Sequence, residues 1–213
     1  MWFTDNRGMP APLEVFADIT CPFTHVGLKK VISLLGDRGT DVEIIVRAWP
    51  LEWVNDVPLE SGPVAEKIEA LQQQLGIDDF GGFRADTWPS TTIPALNLAA
   101  AAFAVDAATG LRVSLALRAA LFEGGLDIGD PDVLATLAAA EELPAPGTEP
   151  AQGVLDDYEE GQRRGVRGSP DFWVGEDEFF CPALRLGRAD GHLTAEFDAD
   201  GLQSFLDRVA LAR

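Results

Sequence analysis

The chain has 213 residues, 46% of them hydrophobic, enough for one large domain or for a small α/β domain carrying an insertion. Its formal net charge of −19 would be repelled by phosphate backbones and anionic lipid, so neither nucleic acid nor a membrane surface is an expected partner. Two cysteines, Cys21 and Cys181, and two histidines, His25 and His192, are too few and too scattered for a disulfide framework or a structural zinc site, and no metal is expected.

No stretch is long and apolar enough to span a bilayer. The opening segment MWFTDNRGMP lacks the basic region and apolar run of a secretory signal, which makes a cytoplasmic location the expectation.

Residues 13–19, LEVFADI, alternate with period 2 and are partly apolar on the second face, the pattern of a central strand. After Thr20-Cys21-Pro22, the apolar residues Leu28, Val31, Ile32 and Leu35 recur at helical spacing. Pro22 suits the first turn of that helix, and Gly36 and Gly39 can end it. Residues 41–48, DVEIIVRA, read as a second strand, which gives a βαβ unit with a parallel pair. From about 60 to 142 the spacing is helical throughout, interrupted by a Gly-, Asp- and Thr-rich loop at 76–92. Asp130-Pro131 marks one helix start, the linker LPAPGTEP closes the block at 143–150, and a further helix is expected over 151–164. Residues 171–175 and 178–181 flank Gly175-Glu176-Asp177 and predict an antiparallel hairpin. Leu202, Phe205, Leu206 and Val209 predict a last amphipathic helix.

Three segments carry a resemblance. DITCPFTHVG places a cysteine after a strand and at a helix start, followed by proline and an aromatic residue, and resembles the Cys-Pro-x-x motif of the DsbA family. GVRGSPDFWV at 165–174 resembles the loop that leads to the cis-proline of thioredoxin folds. The helical block between them, including GLDIGDPDVLATLAAAEEL at 125–143, resembles the insertion of the FrnE-like branch. The same architecture serves 2-hydroxychromene-2-carboxylate isomerases and kappa-class glutathione transferases. The resemblance spans roughly residues 12–212 and implies an α/β thioredoxin fold. Residues 12–58 and 165–213 would form the thioredoxin-like domain, and 59–164 the inserted helical domain.

One departure bears on activity. Family oxidoreductases carry Cys-x-x-Cys, whereas this chain reads Cys21-Pro22-Phe23-Thr24. The related isomerases and transferases typically have serine at the first position, where a hydroxyl orients the thiolate of bound glutathione. The resemblance thus implies a thiol–disulfide oxidoreductase with a monothiol site. Cys21 would be the nucleophile and Thr24 would stabilise its thiolate. Pro22, Phe23, Ser169 and Pro170 would contact the substrate, a thiol or a disulfide. No tightly bound cofactor is expected, with a low-molecular-weight thiol as the candidate co-reactant. The alternatives are a thiol-cofactor-dependent isomerase or transferase, or a non-catalytic binding protein. A homodimer is compatible with the resemblance.

The residues admit plainer readings beside these. A thiolate is the reactive form of cysteine, and a helix N-terminus favours it through unpaired N–H groups and the macrodipole. Cys21 could instead be an inert buried cap. Pro170 could be an ordinary turn proline, and Phe23 a ring buried for packing alone. His25, one turn on from Cys21, could pair with a thiolate or be a surface histidine. Cys181 could be an unorthodox resolving thiol or a core cysteine. Asp18 could assist proton transfer or be a solvated strand end. Trp49, Phe83 and Trp88 could wall a cleft between the two parts or pack them together.

Overall fold

The computed structural model describes residues 11–212. The opening segment MWFTDNRGMP, on which the cytoplasmic expectation partly rests, and the last residue of the expected thioredoxin-like part lie outside the described residues. Among those described, no helix is long and apolar enough to cross a membrane.

Strand β1 (Leu13–Ala17) is buried along its whole length and is central, with β2 (Ile44–Ala48) parallel on one side and β3 (Asp171–Val174) antiparallel on the other. β4 (Asp177–Phe180) closes the order β2-β1-β3-β4. A two-residue loop joins β3 to β4, and its Gly175 takes φ 63°, the turn geometry that suits the right-handed twist of paired strands.

Helix α1 (Pro22–Asp37) crosses from β1 to β2. It presents Leu28, Val31 and Leu35 to the main core, as their spacing predicts. Two sheet faces result from the alternation along β1. Val15 pairs with Phe172, whose ring meets Phe205 of α8 (Ala199–Leu211) at 5.4 Å. Phe16 faces the other way, into a cluster with Trp49 and Trp173.

Between β2 and β3 the chain forms α2 (Leu51–Val54), α3 (Ser61–Leu75), a single 3-10 turn at Ala85–Thr87, α4 (Ile93–Phe103), α5 (Ala107–Phe122), α6 (Pro131–Ala140) and α7 (Gln152–Arg164). Asp106, Asp130 and Asp198 cap α5, α6 and α8 by accepting backbone N–H bonds. Helices α4, α5 and α7 pack against β2, so the insertion lies on the thioredoxin-like sheet.

Of the two readings of Trp49, wall of a cleft or packing between the parts, the structure shows packing. It is buried against Phe16 and stacks at 5.0 Å on Tyr158 of α7, because the second sheet face must be covered. A hairpin absent from the sequence reading, β5 (Leu184–Ala189) with β6 (His192–Phe197), forms a separate two-stranded sheet. Its turn is Asp190-Gly191, both residues at positive φ.

Candidate active site

The site forms where β1 ends. Asp18, Ile19 and Thr20 carry the chain from the strand to Cys21, the N-cap residue of α1 with extended backbone, and Pro22 opens the helix. Cys21 is 3% exposed. Its Sγ–H donates to the Ser169 carbonyl at 2.9 Å. The Ser169–Pro170 peptide is cis. A Cβ added to Gly27 of α1 would just reach Ala183 at 3.8 Å and Pro170 at 3.9 Å, so the helix passes close over this loop.

Ser169 ties three segments together. Its Oγ accepts the Asp18 N–H at 3.0 Å and shares a 2.9 Å hydrogen bond with Thr24 Oγ1. Thr24, expected to serve the sulfur, therefore has its hydroxyl on Ser169, while the sulfur takes the carbonyl of the same residue. Pro22 is buried and Phe23 is half-buried against the main core.

His25 is buried and lies between Phe80 and Phe122, with ring centroids at 5.4 and 5.0 Å. Its Nε2 meets the Asp79 carbonyl at 3.0 Å and Glu123 Oε1 at 3.3 Å. Burial, with Lys29 and Arg118 adding to it, lowers its pKa to about 4 despite the nearby Glu123 carboxylate, so the ring is neutral at pH 7. It is neither the surface histidine of one reading nor hydrogen-bonded to Cys21 as in the other. The His25, Asp79 and Glu123 ligand atoms lie within 4.8 Å of one another, a spacing that could suit a cation. The Lys29 ammonium pairs with both carboxylates there, so part of their charge is already matched.

Cys181 follows β4 with φ 47° and donates its N–H to the Pro170 carbonyl at 3.1 Å, so both cysteines border the same loop. Both are free thiols. Burial pushes Cys181 up to about 12, and the charge of a Cys21 thiolate adds to that rise.

The solvated strand end expected at Asp18 is instead a fully buried carboxylate. Oδ1 accepts from the N–H and the hydroxyl of Thr20 at 2.7 and 2.6 Å. Oδ2 accepts from Leu51 N–H at 2.8 Å and the Thr92 hydroxyl at 3.2 Å. A small pocket beside it is lined by Thr20, Glu52, Leu59, Trp88 and Thr91. Trp88 is thus the aromatic residue of the expected cleft that lies next to the site. Glu52, which sequence reasoning missed, accepts from the Thr91 hydroxyl at 2.8 Å, and burial raises its pKa. Arg118 was missed as well. It comes from α5, a hundred positions from Asp18, and no local motif marks it.

A profile of the DsbA-like thioredoxin domain matches residues 12–194. The chain belongs to the DsbA-like thioredoxin-domain family. Membership supports thiol chemistry of the oxidoreductase or isomerase kind. No curated protein matches the chain in sequence. Among solved structures it is similar to a candidate protein disulfide isomerase from Nitrosomonas europaea, at 17% identity and TM-score 0.62, covering 93% of this chain and 96% of that one. It is also similar to the cytosolic disulfide reductase DsbM from Pseudomonas aeruginosa, at 17% identity and TM-score 0.59, covering 94% and 96%. A 2-hydroxychromene-2-carboxylate isomerase shares the fold at 13% identity and TM-score 0.58, covering 79% of this chain and 87% of that one.

Proposed function

We propose that the protein is a monothiol member of the family that exchanges disulfides through Cys21. The observation that carries this reading is the position of the Cys21 sulfur, at the N-cap of α1 and 2.9 Å from the Ser169 backbone beside Pro170. Unpaired N–H groups of the first helical turn favour negative charge at that sulfur. A disulfide substrate would lie against the loop at Ser169 and Pro170, with Phe23 at the edge.

The Cys21 thiolate attacks one sulfur of a disulfide R–S–S–R′. A Cys21–S–S–R bond forms, the S–S bond of the substrate breaks, and R′–S⁻ leaves and takes up a proton. Thr24 offers no second thiol in the motif, and Cys181, held protonated by burial, is a poor nucleophile. An outside low-molecular-weight thiol, as its thiolate, then attacks the mixed disulfide. It carries R away as a new disulfide and releases Cys21.

Mass spectrometry of Cys181→Ala protein treated with oxidised glutathione tests the site. The expected product is one glutathione adduct on Cys21, lost in the Cys21→Ser variant. No adduct on folded protein, with full reaction of the same chain in denaturant, overturns the reading.

The motif hydroxyl of Thr24 in place of a second thiol favours one other reading. The isomerase among the similar folds suggests a protein that borrows the thiolate of a bound cofactor. Glutathione binding that survives Cys21→Ala without loss would support it.

A further inference from the structure

Arg118 is a large, fully buried side chain. One end of its guanidinium is anchored on its own helix, where Nη1 donates to the Ser114 carbonyl at 2.9 Å and to Ser114 Oγ at 2.6 Å. The other end, Nη2, donates to the Asp18 carbonyl at 3.2 Å. Nε is buried with no partner. An arginine with an unsatisfied donor is a costly way to fill a core, because a buried unpaired polar atom loses its bond to water and gains nothing in return. Its contact with the Asp18 backbone, three residues before Cys21, is therefore worth explaining.

Asp18 does not form a direct ion pair with Arg118, since its four acceptor contacts are all to Thr20, Leu51 and Thr92. The two buried charges balance each other at longer range. Burial lowers the Arg118 pKa to about 10, and the charges of Asp18 and of a Cys21 thiolate both act to raise it. Such coupling is reciprocal, so a cation that a thiolate stabilises also stabilises the thiolate. Without Arg118, Asp18 would be a lone buried carboxylate beside the sulfur, and its charge would oppose deprotonation.

We propose that Arg118, delivered by inserted helix α5, is a positioning residue whose buried charge offsets that of Asp18 and sustains the Cys21 thiolate. The inserted helices then contribute to the chemistry of the thioredoxin-like part. The proposal rests on the reading of Cys21 as the reactive thiol. The other charged or titratable groups around the pair are His25 on α1, Glu52 on α2, and Cys181 after β4. Arg47 and Asp157 line a small pocket that Arg118 also borders, and they pair with each other at 2.8 Å. His25 and Cys181 are uncharged at pH 7, so Arg118 is the cation next to Asp18.

The test is the pH profile of iodoacetamide alkylation of Cys21 in Cys181→Ala protein, with Arg118→Lys, Arg118→Met and Arg118→Gln. The neutral variants are expected to move the midpoint up by about one pH unit, which slows alkylation near pH 7 about tenfold, while Arg118→Lys keeps the parent profile. Arg118→Gln supplies the neutral arm if Arg118→Met does not fold. A purely structural role would lower stability in all three and leave the midpoint in place, and that result overturns the proposal. Failure of the Cys21 reading itself is distinguishable, because the parent protein would then form no adduct with oxidised glutathione.

Discussion

The Cys21 thiol and the Ser169 backbone, 148 positions apart in sequence, meet at 2.9 Å. Together with the β1–β3 ladder, this contact joins the two halves of the thioredoxin-like fold across the whole insertion. It places the sulfur at the start of a helix and beside a backbone segment that an extended substrate could follow. The side chain of Ser169 completes the junction by holding Asp18 and Thr24.

Removing that side chain isolates its contribution. Ser169→Ala leaves the Asp18 N–H without its acceptor and Thr24 without its hydroxyl partner, and it is expected to cost about 1–3 kcal/mol of stability in urea unfolding. A loss below a few tenths of a kcal/mol would show that neither group depends on Ser169.

Two buried titratable groups pull stability in opposite directions with pH. His25 is lowered from 6.5 to about 4 by burial, so its contribution is complete above pH 6.5 and is lost as pH falls toward 4. Asp171 is raised from 3.8 to about 6 by burial, so its contribution is complete below pH 3.8 and is lost as pH rises through 6. Each effect is on the order of 3 kcal/mol. Against the parent, Asp171→Asn is expected to gain stability between pH 4 and 7, and His25→Gln to lose less as pH falls over the same range. Denaturant unfolding at several pH values checks both, and curves parallel to the parent would contradict the two assignments.

Gly161 on α7 marks how tightly the insertion seats on the sheet. A Cβ there would fall 2.5 Å from the Trp49 ring and 3.1 Å from Phe16. Helix propensity alone favours alanine, but the rings sit in a closed core. Gly161→Ala is therefore expected to destabilise by about 1–3 kcal/mol. A rise in melting temperature would mean that the Trp49 cluster yields easily.

Much of the architecture was legible because it is written in local periodicity. Leu13 to Ile19 alternate, and Leu28 to Leu35 repeat at helical spacing, so β1 and α1 follow from short windows. The hairpin β5–β6 escaped although Asp190-Gly191 is a hairpin turn, because its strands are largely exposed and carry Arg185, Gly187 and Arg188 among the apolar residues. At the site, Cys21, Ser169 and Pro170 could be placed by motif. Glu52 and Arg118 could not, and the burial of Asp18 could not either, since burial and charge balance arise only when α2 and α5 close over the end of β1. Sequence alone leaves Trp49 between two readings for the same reason: which face of a strand end is covered depends on α7, far along the chain.

The central claim is that Cys21 is an activated thiol and not an inert buried cap. The most direct measurement compares its exchange rate with a small disulfide, 2-hydroxyethyl disulfide, in folded Cys181→Ala protein and in the same chain unfolded in urea at pH 7. The account predicts faster exchange when folded, despite 3% exposure, because the helix start and Arg118 stabilise the thiolate. Slower exchange in the folded chain than in the unfolded one would mean simple protection by burial and would contradict it.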